Sequence, residues 1–248
     1  MNTEFNVIIP AIFDTDDFAN KAMADIHGKP MIQHVFESAK NSGACEIVIV
    51  TDNARVGMTA EDFGATVCMI IDEDLKGIDR LAEVVDRMEW SDDTIVVSLP
   101  GDAPLTPGAI ISQVAEHLSM QADASSAALY SIVAHDVAAK DSTVICVTDI
   151  SNYIIYLSRR PIPHQSEDTI LSADYKCNID INAYRAWALR AYLKLPPGDL
   201  EQAEGIDELK LLYNGFKIYA AEANSLIGHR VIVEDDIEKV KIQIAPRH

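Results

Sequence analysis

The stretch Phe5-Asn6-Val7-Ile8-Ile9-Pro10-Ala11 runs directly into Ile12-Phe13-Asp14-Thr15-Asp16-Asp17-Phe18-Ala19-Asn20-Lys21. The first half is apolar almost without a break, the pattern of a strand covered on both faces of a sheet. A strand that empties into a loop ahead of a helix is where doubly wound α/β proteins hold nucleotide phosphates. This loop has the position of a phosphate grip but carries three aspartates against one lysine. Lys21 is the side chain there that suits a triphosphate, although composition alone favours a solvated lysine among acidic neighbours.

Outward from that strand, the same apolar runs recur at 46–51, 66–71 and 94–99. Between them lie amphipathic stretches at 30–42, 78–88 and 106–120, the last with Pro107 at a favoured early helical position. Strand–helix alternation of this kind predicts an α/β fold. Its sheet is doubly wound and mostly parallel, with the ligand outside the carboxyl ends of the strands. The second half changes rhythm. Strands at 126–133, 143–148 and 153–157 follow in quick succession, then a strand-to-helix passage at 180–191. A helix at 200–213, a strand at 216–221 and a closing helix at 235–243 complete the chain. No Gly/Ser-rich linker or repeat separates the halves, so the expectation is a single domain over 1–248 with an inserted β-rich lobe within about 126–185.

The chain has 248 residues and a formal net charge of −19. That balance argues against non-specific binding to nucleic acid or to an anionic membrane, both of which need a positive surface. A local pocket of opposite sign still admits an anionic substrate. Cys45, Cys68, Cys146 and Cys177 show no metal-ligand spacing and read as reduced thiols. No basic-then-apolar leader opens the chain and no apolar run reaches membrane-spanning length, so the expected location is the cytoplasm.

Three further stretches carry chemistry. Ser98-Leu99-Pro100-Gly101-Asp102-Ala103-Pro104 ends a strand in Gly-Asp. A carboxylate at that edge either holds Mg²⁺ together with substrate phosphates or simply caps the next helix. Tyr156-Leu157-Ser158-Arg159-Arg160 sets paired arginines after a strand, suited to carboxylate or phosphate. Leu200-Glu201-Gln202 with Asp207-Glu208-Leu209-Lys210 is an acidic helical region that needs no function as a solvated face. Zinc ligation, a nucleophile–His–acid triad and a Walker loop find no match.

At these same places the chain resembles the 3-deoxy-manno-octulosonate (Kdo) cytidylyltransferases. Val7-Ile8-Ile9-Pro10-Ala11 is similar to the family's opening V-I-P-A strand. Asp25-Ile26-His27-Gly28-Lys29-Pro30-Met31-Ile32-Gln33-His34-Val35 resembles its D-I-x-G-K-P-M-I-x-H-V helix entry. Asp79-Arg80-Leu81-Ala82-Glu83-Val84 resembles [DE]-R-L-A-E-V, and Gly101-Asp102 with Pro104 resembles the metal-binding Q-G-D-x-P turn. Tyr156-Leu157-Ser158-Arg159 is similar to the Y-F-S-R strand. The resemblance implies a nucleotidyltransferase-type α/β fold and transfer of CMP from CTP to a Kdo-type acidic sugar with release of pyrophosphate, with Mg²⁺ as cofactor. It also implies a homodimer and a place in lipopolysaccharide biosynthesis. It assigns Lys21 to the triphosphate and Asp102 to catalysis and the metal. Ala11, Lys76 and Gly101 fall to the nucleotide; Arg159, Asn178, Asn182, Asp207 and Glu208 fall to the acceptor.

The departures fall on charged positions. Ile12 and Asp17 stand where the family has arginines, and Lys76-Gly77-Ile78 replaces S-G-T. Asn178 and Asn182 replace a histidine and a tyrosine, and Ile232 stands at the second metal-binding aspartate. Asp235 or Glu234 is a candidate to replace that carboxylate, and Lys76 to replace an arginine. Nucleotidyl transfer needs positive charge around the phosphates, and one transition-state contact is worth roughly 10²–10³ in rate. Three readings therefore stand: a Kdo cytidylyltransferase, a cytidylyltransferase for another acidic acceptor such as an amino-bearing one, or an inactive relative that binds a nucleotide or a partner.

Overall fold

The computed structural model describes residues 3–12, 21–72, 74–164 and 174–244. Along the chain lie β1 (Asn6–Pro10), a short hairpin of β2 (Asp25–Ile26) and β3 (Lys29–Pro30), α1 (Met31–Lys40), β4 (Glu46–Thr51), α2 (Ala54–Asp62) and β5 (Thr66–Met69). Then come α3 (Gly77–Arg87), β6 (Ile95–Ser98), α4 (Gly108–Met120), β7 (Ser126–Val133), α5 (His135–Ala138), β8 (Ile145–Thr148), β9 (Ile154–Ser158) and β10 (Tyr175–Arg185). The chain closes with α6 (Ala186–Tyr192), α7 (Asp199–Glu204), α8 (Glu208–Tyr213), β11 (Ile218–Glu222) and α9 (Asp236–Ile244).

The main sheet runs β11-β7-β10-β6-β1-β4-β5. β1 is parallel to β4 and β6, β4 to β5, and β7 to β11, while β10 runs antiparallel to β6 and β7. The mostly parallel α/β sheet expected from the sequence is present. The β-rich stretch shares this sheet: β7 and β10 are inner strands, and among the described residues the antiparallel pair β8–β9 branches away, attached to β10 at Cys177 and Ile145. The reason lies in β7, where Ser126 to Tyr130 are buried without alternation and need cover on both faces.

Side-chain alternation along β1 builds two cores. Val7 and Ile9 join Ile32, Val35, Ile110 and Val114 from α1 and α4 on one face. Ile8 joins Leu81, Val84, Val85 and Leu189 from α3 and α6 on the other. Fully burying one such aliphatic side chain stabilises by about 1.5–3 kcal/mol, so a one-residue slip of β1 would be costly.

Three local features position the site. The helix expected over 200–213 is two helices, because Gly205 takes a left-handed turn (φ 62°) and ends α7. Gly101, just past β6, lies so close to the Pro10 carbonyl that any Cβ would collide with it. The third is a bulge in β10. Asn178 pairs with Tyr130 and Asn182 with Ala128, so the three residues 179–181 oppose one residue of β7. Asp180 sits at its crest with φ 61°, and its N–H donates to Asn178 Oδ1 at 2.9 Å. A non-glycine residue held there costs of order 1–3 kcal/mol, a strain that concentrates at functional sites. Asn182 pairs with Ser98, the last residue of β6, so the bulge overhangs the carboxyl edge of the parallel strands.

Candidate active site

Three crevices open along that edge. The first, of 510 Å³, is bordered by Ile12 beyond β1 and Ser98 at the end of β6, by Lys76 and Arg80 around α3, and by Asn182 and Glu208. The second, of 270 Å³, is lined by Arg159, Asn178, Asp207, Glu208 and Arg230. The third, of 410 Å³, takes in Ala11, Lys21, Gly101 and Asp102. Asp180 borders all three, so they form one groove beneath the bulge.

Asp102 is the hub of an ion network. Its Oδ2 lies 3.3 Å from Lys21 Nζ, and its Oδ1 accepts from Arg230 Nε at 2.9 Å and pairs with Nη2 at 2.8 Å. Arg230 Nη1 reaches Asp180 Oδ2 at 2.8 Å. Burial works against the charge of Arg230, but the two carboxylates outweigh it and raise its pKa. Lys21 and Asp102, assigned together from the sequence, are brought together. Ile12 borders the first and third crevices, whereas Asp17 and the other loop aspartates lie outside the described residues.

In the first crevice, Arg80 is buried in α3. Its Nε and Nη2 donate to the Leu75 carbonyl at 3.1 and 2.7 Å, and its Nη1 stands 3.9 Å from Asp52 Oδ2. That Nη1 and the Oδ1 of Asn182 are buried without a hydrogen-bond partner among the described residues, one donor and one acceptor at a single cavity. Asn182 Nδ2 and Tyr184 OH both donate to Glu208 Oε1 at 2.9 Å. Burial, with Asp180 and Asp207 nearby, pushes the Glu208 carboxyl up to about 7. Asp207 is also raised, chiefly by burial, and its Oδ2 accepts the Ile78 N–H at 3.2 Å at the start of α3. Gly77 lies against that carboxylate with a φ of 45°, a backbone angle that favours glycine.

The remaining assignments divide. Lys76 is exposed at the rim of the first crevice. Ala11 borders the third crevice, but its N–H donates to the Val50 carbonyl and its own carbonyl accepts from Thr51 Oγ1, so its backbone is spent on β4. Arg159 borders the second crevice while its guanidinium donates to the carbonyls of Glu204, Gly205 and Asp141. Asn178 borders the same crevice and holds the bulge. Glu234 and Asp235 are exposed, and Asp236 is spent on the Ile232 and Val233 N–H groups, His229 and Lys239. None of the three borders the crevices described above. Asp180 and Arg230 were not singled out in the sequence. Arg230 lacked any strand context, and the one available signal for Asp180 was a lone acid in an otherwise alternating strand.

A nucleotide-sized groove at the carboxyl edge of a mostly parallel sheet, with a lysine–aspartate pair at its floor, defines a nucleotidyltransferase-type α/β enzyme. Comparison with known proteins narrows the class. The family model described as Cytidylyltransferase matches residues 6–218. The 3-deoxy-manno-octulosonate cytidylyltransferase of Pasteurella multocida (strain Pm70) is 37% identical over 252 residues, covering 96% of this chain and 98% of that one. The enzyme of the same name from Haemophilus influenzae (strain PittEE) is 39% identical, covering 97% and 98%. Among solved structures, CMP:2-keto-3-deoxy-manno-octonic acid synthetase, complexed with CTP, superposes with a TM-score of 0.90 at 31% identity over 98% of both chains. A nucleotidyl transferase from Methanothermobacter shares the fold, with a TM-score of 0.60 at 17% identity. The chain belongs to the 3-deoxy-manno-octulosonate cytidylyltransferase family.

Proposed function

We propose that this protein transfers CMP from CTP to a Kdo-type acidic sugar and releases pyrophosphate, a step of lipopolysaccharide biosynthesis. The anomeric hydroxyl oxygen attacks the α-phosphorus, the bond from that phosphorus to the bridging oxygen breaks, pyrophosphate leaves with the electron pair, and the hydroxyl proton passes to solvent. The observation that carries this reading is the Lys21–Asp102 pair at the carboxyl edges of β1 and β6, in a chain of this family.

The first crevice suits the base. The unpartnered donor of Arg80 and acceptor of Asn182 match the ring edge of cytosine, which presents a carbonyl and an exocyclic amine. The third crevice suits the triphosphate, with Lys21 for charge and Gly101 permitting close backbone approach. The second suits the acceptor. Mg²⁺ is usually held by one or two carboxylates plus substrate phosphates. Asp102 is the carboxylate here that fits, and among the described residues no cluster of three His, Cys, Asp or Glu could hold an ion. The fit is thus to an ion that enters with the nucleotide and shares Asp102. When bound, it would neutralise phosphate charge. We also read the protein as a homodimer. No helix among the described residues is long and apolar enough to cross a membrane.

One observation favours a second reading of the acceptor. Asp180, Asp207 and Glu208 line the second crevice alongside Arg159 and Arg230, and Arg159 is committed to backbone carbonyls. An acidic wall of this kind, with Asp180 at the bulge and Asp207 and Glu208 beside it, suits an acidic sugar that also carries an ammonium group. The test is pyrophosphate release from CTP with Kdo and with amino-bearing analogues in parallel. Faster turnover of the amino-bearing acceptor at equal concentration supports the second reading, and the reverse order supports the first.

A further inference from the structure

Arg230 sits where the second and third crevices meet: it lines the second, and its partner Asp102 lines the third. If the acceptor and the triphosphate occupy those two spaces, the bond that forms lies beside this guanidinium. The side chain is firmly placed. The Val231 N–H donates to the Asp102 carbonyl at 2.9 Å, and Val231 is buried against Ile26, Met31 and Val240. Asp236 ties down the next turn by accepting the Ile232 and Val233 N–H groups at 3.0 and 3.1 Å. Gly228 lets the backbone pass against Leu105, which any added Cβ would strike.

Two carboxylates bridged by one cation is the arrangement a divalent metal makes. Here the bridge is a guanidinium, permanently charged and planar, joining Asp102 to Asp180. Two residues further on, Ile232 is 54% exposed and offers no donor atom. The carboxylate that the family resemblance calls for at Ile232 is absent, and the same segment holds a fixed cation.

We propose that Arg230 is a catalytic cation of this site, supplying at the reacting phosphate the positive charge that a second metal ion would otherwise bring. It contributes no atom and exchanges no proton. The proposal rests on the cytidylyltransferase reading for the identity of the nucleotide. Its consequence is that the protein grips CTP without metal and takes up one divalent ion, not two, with the nucleotide.

The experiment uses the full chain and two readouts independent of turnover: CTP affinity by calorimetry in excess EDTA, and Mn²⁺ bound per chain at saturating CTP, counted by electron paramagnetic resonance. The parent should bind CTP in EDTA and one Mn²⁺ per chain with CTP. Arg230→Ala should weaken metal-free CTP binding at least tenfold, and Arg230→Lys should recover part of it. The double substitution Arg230→Gly with Ile232→Asp should raise the count to two Mn²⁺. Two Mn²⁺ in the parent, no CTP binding by the parent in EDTA, or equal metal-free affinity in parent and Arg230→Ala would each overturn the proposal. If Arg230→Ala fails to fold, Arg230→Lys and the parent's Mn²⁺ count decide. A parent that binds CTP and one ion but turns over no acceptor contradicts the proposed reaction and leaves the binding result readable.

Discussion

Glu208 holds its proton to about pH 7 because it is buried beside Asp180 and Asp207, with Tyr184 and Asn182 donating to it. The unfolded chain releases that proton near the ordinary 4.5. The Glu208 contribution to stability is therefore complete below about pH 4.5 and is lost as pH rises through 7. Glu208→Gln keeps an acceptor for Tyr184 and removes the ionisation. Thermal unfolding between pH 5 and 8 should show a flatter profile for Glu208→Gln and a higher midpoint than the parent at pH 8; parallel profiles would exclude Glu208 as the titrating group. Ile12 supports a second expectation at this scale. It borders the first and third crevices where the resemblance calls for an arginine. Ile12→Arg should tighten CTP binding, most of all at low ionic strength where screening is least. No gain at low salt would mean that residue 12 does not face the phosphates. Lys21, Asp102 and Gly101 were legible in the sequence because a strand end and a Gly-Asp turn announce themselves locally. Arg230 and Asp180 were not, since their meaning arises from a contact across 50 residues.

The elements were legible where apolar periodicity is strong. β1, β4, α1 and α3 lie within a residue or two of their expected bounds. α2 was passed over, although Asn53 capping the Arg55 and Val56 N–H groups is the signal that marks its start. The α7–α8 break was missed because apolar spacing runs on through Ile206 and Leu209 while Gly205 turns the backbone. That break gives Arg159 its role: its guanidinium takes the carbonyls that α7 leaves open. Arg159→Ala should therefore cost about 1.5–3 kcal/mol of stability, the range for hydrogen bonds to a charged donor, read by urea unfolding. An unchanged midpoint would return Arg159 to a purely substrate-facing role.

At the scale of the whole molecule, a chain of net charge −19 gathers Lys21, Lys76, Arg80, Arg159 and Arg230 along one groove at the carboxyl edge of its sheet. Asp52, Asp102, Asp180, Asp207 and Glu208 line the same groove, so these cations bring it to rough charge balance, far less acidic than the chain as a whole. The β8–β9 arm stands off the main sheet and leaves Ile150 fully exposed and Ile155 61% exposed, apolar surface that suits a second copy. Sedimentation equilibrium at micromolar concentration should give twice the 27.2 kDa chain mass, and a clean monomer would contradict the homodimer. The proposed reaction is cytidylyl transfer from CTP to the acidic sugar. Its most direct test is pyrophosphate release when the purified chain is given CTP, Mg²⁺ and a panel of Kdo-type acidic sugars with and without an amino group. The expected result is acceptor-dependent pyrophosphate matched one for one by CMP-sugar. CTP binding with no pyrophosphate from any acceptor would contradict it and leave a nucleotide-binding protein on a cytidylyltransferase fold.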